Sequence, residues 1–148
     1  MRNAKKLGHL IKLVLMSYEA TKNSLLEEFG ITVSQMELLD YVNDCEGHLS
    51  TQKEVTEYLH TSYATVSGLI KRLVEKGLLE SVKCEGDRRS NTIRLTERAL
   101  PLVEKCKLKL QAVDDELTAN FAEQDETQLV ALLERLLANA ESANLAMN

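Results

Sequence analysis

Ser62-Tyr-Ala-Thr-Val-Ser-Gly-Leu-Ile-Lys-Arg-Leu-Val-Glu-Lys-Gly77 decides how the rest of the chain is understood. Val66, Leu69, Ile70 and Leu73 recur at helical spacing, Ser62 stands where an N-cap belongs, and Gly77 follows Lys76 as a stop. The spacing predicts a helix over 63–76. Removing the apolar positions leaves Tyr63, Ala64, Thr65, Ser67, Gly68, Lys71, Arg72 and Glu75 toward solvent. A helix lying in the major groove of DNA needs small or hydrogen-bonding side chains near its start, and cations to hold phosphates. Small residues at 64, 65, 67 and 68 allow close approach to base edges. Ser62 and the first backbone N–H groups can meet a phosphate at the positive end of the helix. Tyr63 can stack on a sugar or touch a thymine methyl, and Lys71 and Arg72 can reach phosphates or a guanine. The same pattern also describes an ordinary solvated amphipathic helix, so the neighbouring segments decide.

Upstream, Thr51-Gln-Lys-Glu54 is a capping box that opens a short helix carrying Val55, Tyr58 and Leu59. About three residues separate that helix from the next, the layout of a helix-turn-helix without the usual turn glycine. Downstream, the helical period stops at Gly77. Leu78–Lys83 and Ser90–Leu95 predict two short strands around the polar turn Cys84-Glu-Gly-Asp-Arg-Arg89. A hairpin directly after a helix-turn-helix makes a winged helix, and a wing tip is where Arg88 and Arg89 can enter a narrow minor groove.

Helices surround this module. Leu7, Leu10, Ile11, Val14, Tyr18, Leu25 and Phe29 predict a long first helix stopped by Gly30. Thr32-Val-Ser-Gln35 caps a second, which buries Val33, Met36, Leu39 and Val42. Beyond Thr96, a good cap that would put Pro101 inside the second turn, the series Val103, Cys106, Leu110, Val113, Leu117 and Phe121 forms a coiled-coil-like seam. Asp125-Glu-Thr-Gln128 is expected to cap a last helix with Leu129, Leu132, Leu133, Leu136 and Leu137 on one face. Both terminal helices are too apolar for the middle module alone to cover, which leads to a homodimer; a monomer whose long helices cover each other is the alternative.

Composition narrows the function classes. The chain has 148 residues, 44% hydrophobic and 28% charged, the balance of a folded globular protein. Six Gly, one Pro and no Trp argue against an all-β fold. The net charge of −5 excludes indiscriminate nucleic-acid binding, yet residues 63–98, with eight basic and five acidic side chains, are net positive. Three cysteines, Cys45, Cys84 and Cys106, do not suggest a secreted disulfide framework. No apolar run reaches the roughly 20 residues of a membrane span. A cytoplasmic protein is expected. No Ser/His/Asp grouping, phosphate-cradling glycine loop or close carboxylate pair emerges, so an enzyme is not expected and no cofactor is implied.

Three stretches together carry a family likeness: Glu54-Val-Thr-Glu-Tyr-Leu59, the helix from Ser62 through Lys76-Gly-Leu-Leu79, and Gly86-Asp-Arg-Arg89 followed by Arg94-Leu-Thr96. With them the chain resembles the multiple-antibiotic-resistance regulator (MarR) family along essentially its whole length. Asp87-x-Arg89 before Leu95-Thr96 is the more specific part. The resemblance implies a mainly α fold with a small β-hairpin wing. Residues 32–96 would form the winged helix-turn-helix DNA-binding lobe, and residues 1–31 and 97–148 a helical dimerisation region. It implies that Arg89 is the arginine inserted into the minor groove, that Asp87 orients it, and that helix 63–76 is the recognition helix. Thr56, Thr61 and Ala99 depart from the family pattern without removing a DNA contact.

A dimeric regulator of double-stranded DNA, more often a repressor of neighbouring genes, is then expected to leave a pseudo-palindromic operator when an effector prefers one spacing of its lobes. In such a family a small-molecule pocket lies between dimer helices and lobe. Here that junction would include Leu10, Val14, Tyr18, Met36 and Tyr41, which are equally ordinary core residues. Redox control would use Cys84, beside Lys83, Arg88 and Arg89 but also beside Glu85 and Asp87. Zinc control would draw on His9, His48, His60, Cys45 and Glu46, where no tight ligand spacing exists, so no metal site is expected. Cys106, on the apolar seam, reads as a small buried hydrophobe. A winged helix used for protein association is the remaining alternative.

Overall fold

The computed structural model describes residues 2–83 and 91–147. Local capping chemistry sets the starts of three of its helices. Thr32 is extended, its hydroxyl accepts from the Gln35 amide at 3.2 Å, and the Gln35 carboxamide oxygen accepts from the Thr32 amide at 3.2 Å. That reciprocal cap begins α2 (Val33–Asp44). Thr51 and Glu54 repeat the device at the head of α3 (Gln52–Leu59). Ser62 Oγ accepts from the Thr65 amide at 3.1 Å and starts α4 (Tyr63–Glu75).

The end of α4 is equally local. Gly77 takes φ +73°, its amide bonds Val74 O, and the Leu78 amide bonds Leu73 O at 2.9 Å. This is the αL termination that favours glycine, because an added Cβ would strain the backbone there. The first helix, α1 (Arg2–Leu26), stops earlier than the apolar spacing predicts. Glu27–Phe29 tighten into a 3₁₀ turn before Gly30 at φ +66°.

The sheet has three strands, not the two expected. β1 (Leu49–Thr51), β2 (Leu79–Val82) and β3 (Thr92–Leu95) pair antiparallel in the order β1-β3-β2, with Ser50 and Ser81 both opposite Ile93. β1 is three residues long, too short for an alternating pattern to register in sequence. It covers what would otherwise be an open edge of β3.

A single core joins these pieces: Leu38, Leu39 and Val42 of α2, Val55 of α3, Val66 and Leu73 of α4, Leu79 and Ile93 of the sheet. Fully burying each such side chain contributes about 1.5–3 kcal/mol. Leu26 of α1 and Ala99, Val103 and Cys106 of α5 (Ala99–Leu117) are buried in the same cluster. Burial raises the Cys106 thiol pKa, which makes it an inert hydrophobe, as its place on the seam suggested. Thr96 does not cap α5. Its hydroxyl instead donates to Gly77 O at 2.7 Å, and Pro101 falls in the first helical turn, where its missing N–H costs nothing. Lys107 of α5 pairs with Asp40 of α2 at 3.0 Å.

Residues 1–113 and 114–148 form separate compact units. In the second, α6 (Glu123–Met147) starts before the expected Asp125 cap. The turn Thr118–Ala122 brings the Ala122 amide to Asp125 Oδ2 at 3.1 Å, so Asp125 acts from inside the first turn. Leu129, Leu132, Leu133 and Leu137 of α6 are exposed, as are Leu7, Leu10, Ile11 and Val14 of α1. Tyr58, expected on the buried face of α3, is exposed too and stacks on Tyr41 with ring centroids 4.3 Å apart.

Candidate nucleic-acid interface

The exposed face of α4 is a stripe. Ala64, Thr65, Lys71 and Arg72 are exposed and Gly68 is half-buried between them. Among the described residues no carboxylate pairs with Lys71 or Arg72, whereas Arg94 on β3 is neutralised by Glu80 at 2.8 Å. Ser62 Oγ is within 2.8 Å of Thr65 Oγ1 as well as capping the helix. The Tyr63 and Ala64 amides have no partner in the helical ladder and lie at the positive end of the dipole. Anions are favoured there.

Gly68 is the most telling residue of the stripe. A Cβ built on it meets nothing within 4 Å, and its φ is not in the left-handed region. Glycine inside a helix costs about 0.5–1 kcal/mol relative to alanine, and nothing within the fold requires it here. Among the described residues none approaches the place its side chain would take.

Two expected positions serve the fold as well. Ser67 is half-buried, and its hydroxyl accepts from Gln52 Nε2 at 2.6 Å instead of pointing to solvent. Tyr63 is exposed, but its hydroxyl accepts from Asn91 Nδ2 at 3.1 Å, which holds the ring at the base of the wing. Gln52 is the centre of this network, a role its spacing in the sequence does not reveal. Buried to 5% exposure, it also donates to Tyr63 O at 3.3 Å, accepts from Asn91 Nδ2 at 3.4 Å, and donates its amide to Asn91 O at 2.8 Å. The start of α3, the start of α4 and the wing strand β3 are thereby tied through one side chain. Only the polar identity of a residue just after a cap hinted at it.

Asp87, Arg88, Arg89 and Cys84 lie outside the described residues. The five residues expected at an effector junction have different surroundings. Leu10 and Val14 are exposed on α1, at 45% and 57%. Tyr18 is half-buried with Lys22 Nζ 3.9 Å from its ring centroid, Met36 is core, and Tyr41 is the partner of Tyr58. Among the described residues no group of three His, Cys, Asp or Glu side chains is placed to hold a metal ion. His48 Nδ1 contacts Asn43 O at 2.8 Å and Cys45 Sγ donates to Tyr41 O at 3.3 Å, so each has a local structural partner.

Residues 29–90 match the model of the MarR family. An uncharacterized HTH-type transcriptional regulator of Bacillus subtilis, YwoH, is 36% identical over 104 residues, covering 70% of this chain and 74% of that one. The chain belongs to the MarR family. Two solved structures extend the likeness. A cysteine-to-serine mutant of MarR from E. coli, complexed with operator DNA, is 28% identical with a TM-score of 0.81, covering 89% of this chain and 94% of that one. The S. aureus MepR–DNA complex is 25% identical with a TM-score of 0.84, covering 89% and 96%. The mainly helical MarR architecture with a small antiparallel sheet, expected from the sequence, is the one found. No helix among the described residues is long and apolar enough to cross a membrane.

Proposed function

We propose that this MarR-family chain is a homodimeric, sequence-specific regulator of transcription, most often acting as a repressor, that leaves a pseudo-palindromic operator when a small-molecule effector binds. The observation that carries the reading is the α4 stripe: small residues at 64, 65 and 68 beside the unpaired cations Lys71 and Arg72. Small side chains allow base-edge contact, and the cations hold the flanking phosphates. Gln52 fixes the stripe relative to β3, so that α4 and the wing approach a duplex together. The DNA complexes of E. coli MarR and S. aureus MepR support the same mode here. Arg89, oriented by Asp87, is the minor-groove contact in this reading, with Arg88 beside it.

The exposed apolar residues of α1 and α6 support self-association, since uncovered leucines at this density mark an interface. Residues 1–31 and 97–148 are the dimerisation region in this reading. A cytoplasmic location follows from the DNA partner.

Selection of bound duplexes from a random pool, followed by fluorescence anisotropy at fixed salt, tests the proposal. Enriched sites should contain two half-sites centred about one helical turn, or a multiple, apart. Sedimentation at micromolar concentration should give a dimer. Failure to enrich any duplex, or a monomer, refutes it.

A further inference from the structure

Tyr41 and Tyr58 form an aromatic pair where α2 meets α3. Their rings stack with 4.3 Å between centroids and 22° between planes, and Tyr58 remains 57% exposed. Val55 and Leu59 already pack α3 onto the core, so the outer ring is not needed there. Two other rings of the chain carry a cation of their own. Lys22 Nζ lies 3.9 Å from the Tyr18 centroid, and Lys109 Nζ lies 5.3 Å from that of Phe29. Among the described residues no cation lies over Tyr58.

The charge around the pair has one sign. α2 and α3 together hold five acidic side chains and one basic one, Lys53. Lys107 of α5 engages Asp40 at 3.0 Å and Asp44 more loosely at 3.7 Å, which leaves Glu37 and Glu57 exposed without an ion-pair partner among the described residues. Glu37 stands one helical turn before Tyr41, and Glu54 one turn before Tyr58, so each shares a face with its ring. Lys53 lies roughly 140° around α3 from Tyr58. Burial chiefly raises the Tyr41 phenol pKa and the Glu54 carboxylate adds to it, so negative potential reaches the pair.

A cation is drawn to the face of a tyrosine ring, and arginine both stacks there and forks to carboxylates. So open a surface does not enclose a small ligand, which a pocket buries by about 70–90%. A protein segment instead surrounds one such anchor with further contact area, and tyrosine and arginine are the residues that anchor interfaces. The acidic rim repels nucleic acid.

We propose that the Tyr41–Tyr58 face docks a second protein through an arginine-bearing segment, one guanidinium stacking on the outer face of Tyr58 and further cations meeting Glu37 and Glu57. None of these residues belongs to the α4 stripe, so a duplex and such a partner can be held together. That consequence rests on the DNA-binding reading; the docking itself does not.

Heteronuclear NMR titration of the full chain at fixed salt tests it, with an alanine-based helical peptide carrying arginine at every third position. The peptide should shift the Tyr58 ring signals and the amides of α2 and α3. Its citrulline counterpart, of the same shape without charge, should bind about fivefold more weakly or worse. Y58L and E37Q/E57Q should each lose about fivefold in affinity, and Y58F should keep most of it. The three altered residues are exposed, so folding is retained. Unaltered binding by Y58L, equal binding of the citrulline peptide, or shifts spread evenly over the acidic start of α6 overturns the site. Free argininamide binding as tightly as the peptide overturns the choice of a protein partner. A smaller assembly of Y58L than of wild type in sedimentation makes the face a contact between copies of this chain and overturns it too. A chain that takes up the peptide as described yet enriches no duplex supports the docking face and refutes the DNA-binding reading alone.

Discussion

Gly68→Ala separates what α4 does for the fold from what it does for a partner. The new Cβ enters open space, and the backbone at 68 is one that alanine adopts freely. Helix propensity then predicts a gain of about 0.5–1 kcal/mol in stability. For a chain of this length that corresponds to a melting temperature roughly 1–4 °C higher. The same methyl sits between Ala64 and Lys71–Arg72 on the exposed stripe, where the helix must approach base edges. Duplex affinity should fall at least tenfold, ~1.4 kcal/mol. Scanning calorimetry and anisotropy on a selected duplex at fixed salt measure the two effects separately. A variant that gains stability and loses affinity matches both halves of the reasoning. A loss of stability would show that glycine serves packing within the fold, and unchanged affinity would remove Gly68 from the interface.

Gln52→Leu keeps the volume but strands Ser67 Oγ and part of the Asn91 carboxamide; it should cost about 1–3 kcal/mol in urea denaturation and weaken duplex binding, and no change in either would dismiss the brace. Arg89→Ala should weaken binding to every duplex and reduce the slope of log affinity against log salt by about one; equal binding to wild type rejects the wing contact. Glu54 is held below the ordinary carboxylate range by the Thr51 amide first and the Ser50 hydroxyl second. Its cap contribution is therefore fully present above the unfolded value of about 4.3 and lost as pH falls through the lower folded value. The stability difference between wild type and Glu54→Gln should stay constant above about pH 5 and shrink below it, as followed by circular dichroism; a constant difference down to pH 2 contradicts the assignment.

What the sequence makes legible is chemistry that acts within about five residues. The caps at Thr32, Thr51 and Ser62 and the glycine stop at 77 each depend on side chain and amide groups one turn apart, so spacing alone reveals them. The Asp125 cap misleads for the same reason. The residue is correct, but the turn before it, set by the Thr118 and Ala122 carbonyls, moves the helix start and changes the role of the carboxylate. Features built from distant segments leave no periodic trace. β1 exists because β3 offers it an edge, and Ser67 turns inward because Gln52, fifteen positions away, reaches it. Helical periodicity therefore places Ser67 on the solvent-facing side of α4, although its hydroxyl is already engaged.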